Sequence, residues 1–386
     1  MSGEDIPKRK KRRLIKLIFL LVFFAIIAFV TISLITWSRT GSSWLTDMFS
    51  PRRSEISVSE FNFDIGRARV FASLDNYIAG VGTLGLKVLD VDGREVFRDS
   101  FRMSQPAIRS SGGRGIVFDI GGSAVRVFNN SQVISSIEAD GIVVSASINQ
   151  NGWFCVVTQD GGASRGIVTV YNSSGTGVLR ARKGTGFVLA AELSHDNRSL
   201  AILNYTGTGS RISYYHGIDT DKDEPDNTFD FTSALIIDII YLSNGDLLAV
   251  TTDSLFIVEL SGSGKMLYTY PDNRLGGYAH ENDFIALHLY DFGVGHQGRL
   301  VTLGTDGTVL GEISISREVI SMSVADKSLA VLQNDGVVFF NEELEEFLAS
   351  DDNISAAGTS RVLAISENLA LATSDNSAVV VRANIE

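Results

Sequence analysis

Hydrophobic and polar positions alternate in short runs along most of this chain. From about residue 55 onward, brief stretches of Val, Ile, Leu, Phe and Tyr are separated by Gly, Asn, Asp and Ser. This is the pattern of β-strands joined by tight turns, and no helical period persists in it. Within the pattern a bulky apolar residue precedes a smaller one at regular distances. The copies are Ile78-Ala79, Ile116-Val117, Phe154-Cys155, Leu200-Ala201, Leu248-Ala249, Ile285-Ala286, Leu329-Ala330 and Leu369-Ala370. The second residues of successive pairs are 38, 38, 46, 48, 37, 44 and 40 positions apart.

Each pair is followed by a turn and a further apolar strand, such as Leu86–Leu89, Val125–Phe128 or Val337–Phe340. A second turn and a more polar strand complete the unit, as in Arg94–Phe97 and Lys265–Tyr270. Four antiparallel strands per unit of about 42 residues is the signature of a propeller blade. The expected fold class is therefore all-β: a β-propeller of four-stranded blades, eight by this count. A seven-blade ring with one weak copy misread is the alternative. The bulky-small pair belongs to the second strand, sandwiched between neighbouring blades, where a small residue lets adjacent sheets approach.

The last copy runs out after its third strand, while Ile56–Phe63 is an apolar strand that precedes the first complete copy. We expect residues 56–63 to complete the last blade, closing the ring and removing an exposed sheet edge.

The other departure from the strand pattern is Leu17–Ser38, which contains no charged residue. As a helix it would reach about 33 Å, enough for a hydrocarbon core of roughly 30 Å. It is longer than a signal-peptide apolar core and lacks a small-x-small cleavage site, so an uncleaved anchor is expected. Trp37 stands at its distal end, and Lys8–Arg13 form a dense basic cluster before it. Positive flanks stay in the cytoplasm. The organisation expected is a basic cytoplasmic tail (1–16), a transmembrane helix (17–38), a tether (39–54) and an extracytoplasmic propeller (55–386).

Net charge is −12, but residues 1–16 hold seven Lys or Arg against two acidic residues, so the rest of the chain is strongly acidic. Such a domain repels phosphate backbones, which disfavours nucleic-acid binding. One Cys excludes a disulfide framework, and a ring of this size can bury enough core without one. A bacterial envelope suits that combination.

The strand–turn–strand rhythm resembles the WD40-like and quinoprotein-like propeller superfamilies. The turns Asp90-Val91-Asp92-Gly93-Arg94 and Glu259-Leu260-Ser261-Gly262-Ser263-Gly264-Lys265 are similar to the Asp-x-x-x-Gly-Lys turns of the quinoprotein kind. The chain as a whole, from about residue 10 to its end, resembles an uncharacterised family of membrane-anchored propellers from Gram-positive bacteria.

Candidate chemistry is sparse. Cys155 occupies a small-residue position and reads as a buried hydrophobe. Of His195, His216, His280, His288 and His296, three fall close together with Glu281 and Asp283 nearby. Their spacing matches no metal motif, and they read as dispersed surface and edge histidines. Asp219, Asp221 and Asp223 alternate as ligands to calcium could, with Asp230 at the twelfth position. Glu224 stands where such a loop needs Gly, so a solvated acidic loop is the simpler account. No catalytic residue, metal site or cofactor is assigned, and neither a nucleophile elbow nor a phosphate-binding Gly loop occurs.

Three functions fit. The first is an envelope interaction module binding a protein or cell-wall polymer. The second is an enzyme with its site at the central channel, for which Arg67, Asp75, Glu318 and Asp326 lie near predicted inner strands. The third is a ligand sensor working with a partner subunit, since the cytoplasmic tail is too short to signal alone.

Overall fold

The structure, a computed structural model, describes residues 56–383 except 160–164, 219–221, 223, 233–234, 260–262, 271–272, 282–283, 292–297, 335, 350–358 and 375–377. The expected tail, membrane helix and tether all lie outside the described residues. Among those residues no helix is long and apolar enough to cross a membrane.

The described chain folds into eight four-stranded antiparallel sheets, so the count of eight blades holds and seven does not. In blades one to seven the strands follow chain order from the inner strand outward. The inner strands are Val70–Leu74, Pro106–Ser111, Ile142–Ile148, Phe187–Leu193, Ile236–Tyr241, Asn273–Glu281, Val319–Ala325 and Arg361–Ser366. In the eighth blade, Leu369–Thr373 and Ala378–Ala383 follow the inner strand, and Ile56–Phe61 supplies the outer one. Its pairing runs without a break from Ile56 opposite Ala383 to Phe61 opposite Ala378. Residues from the two ends of the propeller thus share one sheet, and opening the ring there would expose two unpaired edges.

All eight bulky-small pairs fall on second strands and are fully buried, apart from Leu369 at 4% exposure. The reason lies in the pleat. Consecutive residues of a strand point to opposite faces, and both faces of a second strand are covered by neighbouring blades. Hydrophobic side chains accordingly gather into clusters, each built from two adjacent blades.

The phase of the pairs is not uniform. Ala201 and Ala249 share the interface of blades four and five, and Ala330 and Ala370 that of blades seven and eight. Leu248 and Ile285 meet between blades five and six, and Leu369 and Ile78 between blades eight and one. The pair is therefore reversed in blades two, five and eight relative to the others. A one-residue offset in a strand turns every side chain to the other face. The repeat in the sequence marks the strand but not its phase.

The ring has two faces. Inner strands begin at one, here called the entry face, together with the blade-to-blade connections and the second-to-third turns. They end at the other, the exit face. In blades three to seven the inner strand carries a bulge near the entry face, leaving Val144, Leu189, Ile237, Gly276 and Ile320 out of the pairing register. Bulges re-aim a side chain. Here they leave Leu189 and Ile320 each 41% and Ile237 42% exposed.

Candidate functional site

The inner strands enclose a central channel, and its exit end forms a cavity. It measures about 570 Å³ and receives residues from all eight blades. Turn chemistry positions its rim. Blades one and seven close their inner hairpins with two-residue turns, Asp75-Asn76 and Asp326-Lys327. Asp75 and Asp326 both adopt φ of 49° and Lys327 65°, the left-handed backbone that such turns require. Asp75, Glu281 and Asp326 supply carboxylates of the mouth, and among the described residues no Lys or Arg lines it. Asp75 lies over the neighbouring Gly112-Gly113 turn, where a Cβ on Gly113 would stand 2.8 Å from Oδ2.

Below the mouth a second cavity of about 170 Å³ shares Ser110, Ser111, His195, Tyr241 and His280 with the first. It adds Arg109 from blade two, Glu192 from blade four and Asp238 from blade five. Asp238 accepts hydrogen bonds from the Tyr278 hydroxyl at 2.5 Å and from the Ile239 amide at 2.9 Å. Burial, reinforced by the Asp238 charge, pushes the Glu192 carboxyl up to about 8 against the opposing pull of Arg109. At neutral pH Glu192 is therefore mostly the uncharged acid. Burial within the channel holds His280 below its ordinary value, although the residue keeps an exposed surface. His195 donates from Nε2 to the Tyr241 carbonyl at 3.2 Å, linking blades four and five.

The channel corrects the reading of the histidines as dispersed surface groups. His195 and His280, 85 positions apart in the chain, line the same two cavities because inner strands from different blades converge there. His288 is buried in the sixth blade at 1% exposure, on a strand covered on both faces. Of the charged residues expected near inner strands, Asp75 and Asp326 meet at the exit mouth. Arg67 and Glu318 precede their inner strands and so stand toward the entry face. Arg109, Glu192, Asp238 and Tyr278 were not singled out. The signal available was a charged or polar residue inside an otherwise apolar inner strand, recurring near multiples of the blade period.

Cys155 is wholly buried. Its thiol donates to the Ala191 carbonyl at 3.1 Å, as does the Ser147 hydroxyl at 2.8 Å, which ties blade three to blade four. Asp219, Asp221 and Asp223 lie outside the described residues. Within the same loop Lys222 pairs with Asp226 at 2.9 Å. Among the described residues no group of three acidic, His or Cys side chains is arranged to hold a metal ion.

These features define an eight-bladed β-propeller with a polar central channel. The chain belongs to DUF5711, a family of unknown function, whose model matches residues 54–357. No curated protein matches it. Among solved structures it is similar to BamB from Moraxella catarrhalis, at 14% identity and a TM-score of 0.51 over 86% of this chain and 99% of that one. It is similar to the C-terminal WD40 domain of Sif2, at 12% identity and a TM-score of 0.63 over 86% and 99%. Sqt1 from Saccharomyces cerevisiae gives 12% identity and a TM-score of 0.60 over 86% and 100%. At these identities the likeness is one of fold.

Proposed function

We propose that this protein is a membrane-anchored, extracytoplasmic interaction module of the cell envelope, and that it binds a protein partner through the entry face of its propeller. The observation that carries the reading is the distribution of exposed apolar side chains. Leu84, Ile120, Ile142, Phe187, Leu189, Tyr205, Leu235, Ile237 and Ile320 are all exposed on that face or on the strand ends beside it. The other large exposed apolar residues among those described, Val96, Met266 and Val309, are on outer strands. Contiguous exposed apolar surface rimmed by polar groups marks an interaction site. Blades three to five carry the densest part, where Arg165 lies 5.5 Å from the centre of the Phe187 ring. The uncharged run Leu17–Ser38 and the basic cluster before it support the anchor and its orientation.

The test is a photo-crosslinking amino acid at position 189 of the full chain in cells, compared with one at position 326 on the exit face. A discrete protein adduct at position 189 that is lost on Ile237→Asp supports the reading. Adducts that are absent, or equal at both positions, reject it.

A further inference from the structure

Arginines are set between the apolar side chains of the entry face, and backbone hydrogen bonds fix their order. In blade one the amides of Thr83 and Leu84 donate to the carbonyls of Arg67 and Ile65 at 3.0 and 2.9 Å, which places Arg67 beside the Leu84 turn. The Leu84 carbonyl accepts from the Phe101 amide at 3.3 Å, so Arg102 follows directly. The Ile120 amide donates to the Gln105 carbonyl at 2.9 Å, in the same connection as Arg102. At blade three the Arg165 guanidinium lies over the Phe187 ring. Arg67, Arg102 and Arg165 are exposed and form no ion pair among the described residues. The described carboxylates near them in the chain have other contacts. Asp119 accepts the Ser104 and Gln105 amides at 2.9 and 2.6 Å, and Glu138 accepts the Ser123 hydroxyl at 2.7 Å. Asp140 pairs with Arg180 at 3.0 Å, and the Asp64 charge acts on Arg98.

Exposed cations interleaved with apolar side chains ask for a surface of the complementary kind. We infer that the partner of the entry face presents an acidic, amphipathic protein segment. Its carboxylates meet Arg67, Arg102 and Arg165 while its apolar side chains cover Leu84, Ile120 and Phe187. The inference rests on the function proposed for that face and supplies the partner's chemistry. Guanidinium–carboxylate hydrogen bonds are the strong kind, and Arg and aromatic side chains are typical interface anchors. The acidic excess of the chain beyond residue 16 does not prevent such docking, because exposed charges farther apart than about 8 Å are largely screened at physiological salt. It does favour one face, since Asp75, Glu281 and Asp326 at the exit mouth repel the same segment. A lipid surface fits less well. Leu84, Phe187 and Ile120 are 56%, 48% and 42% exposed, so they stay half sunk in their turns. Interfacial insertion instead carries an apolar face about 5–10 Å into the bilayer.

The test uses the full chain in cells with the photo-crosslinking amino acid at position 189. The triple change Arg67→Gln, Arg102→Gln and Arg165→Gln should lower the yield of the adduct about tenfold, whereas the same three changes to Lys should keep it within about twofold. The Lys variant and the melting temperatures of both purified variants control for folding. Mass spectrometry of the wild-type adduct should find Asp or Glu in the partner's cross-linked segment. Full adduct yield in the Gln variant, equal loss in both variants, or a cross-linked segment without acidic residues overturns the inference and leaves the proposed function standing. Binding of the purified chain to phosphatidylglycerol vesicles that the Gln variant abolishes would assign the arginines to lipid and overturn it likewise. A wild-type chain that forms no adduct at position 189 removes the proposed function and the inference together.

Discussion

The Tyr278 hydroxyl of blade six donates to the Asp238 carboxylate of blade five at 2.5 Å, across the seam between two inner strands. Burial, followed by the Asp238 charge, holds the Tyr278 phenol above its ordinary value, so it stays a donor through the physiological range. The bond joins two blades and neutralises part of the demand of a carboxylate that faces the channel.

Tyr278→Phe removes that donor and leaves the Ile239 amide as the donor that remains from the pair described above. A hydrogen bond to a charged group is worth about 1.5–3 kcal/mol. Urea unfolding should show a loss in that range, and an unchanged midpoint would mean that channel water replaces the hydroxyl fully.

Glu192 gives the propeller a pH dependence of known sign. In the unfolded chain its carboxyl titrates near its ordinary value of 4.5, and in the folded chain at about 8. Between those values the folded state holds the extra proton, so stability contributed by this group falls as pH rises from 4.5 to 8 and is level above that. Glu192→Gln should flatten the curve of melting temperature against pH across that window relative to wild type. Parallel curves would show that Glu192 ionises normally.

Cys155 should be chemically silent in the folded protein. Burial is the main cause that pushes its thiol up to about 12, so almost no thiolate exists at pH 8. A disulfide-exchange reagent should label it only as fast as the protein unfolds. Rapid labelling under native conditions would contradict the packing of blades three and four.

The small-on-small and large-on-large interfaces make the ring sensitive to opposite changes of volume at different seams. Ala330→Leu inserts volume where Ala330 already meets Ala370, and overpacking of that kind costs about 1–3 kcal/mol. Leu248→Ala empties the interface where Leu248 meets Ile285, at a cost of about 2–5 kcal/mol. Combining Ala330→Leu with Ala370→Gly should recover part of the first loss, read as a shift in unfolding midpoint. Failure of Leu248→Ala to destabilise would place that side chain outside the interface.

Much of the architecture was legible in the chain because a propeller is built by repetition. Each blade spends its most apolar strand in the same environment, so Ile78-Ala79 and Leu329-Ala330 mark equivalent strands although 251 positions apart. The all-β class follows from that period, which points to eight blades and leaves seven open; the eight sheets decide the count. The candidate site was much less visible. Arg109, Glu192, Asp238 and His280 each sit singly in a strand with no motif around them.

The sequence by itself determined which segments become second strands, since burial on both faces demands unbroken apolar runs that recur with the repeat. Only the tertiary structure decided which face of each second strand meets which neighbour, because a one-residue change of phase leaves composition untouched and reverses every contact. It also decided that four side chains from four blades share one channel. Their proximity arises from closing the ring, which brings inner strands together at a centre that no local stretch of chain encodes.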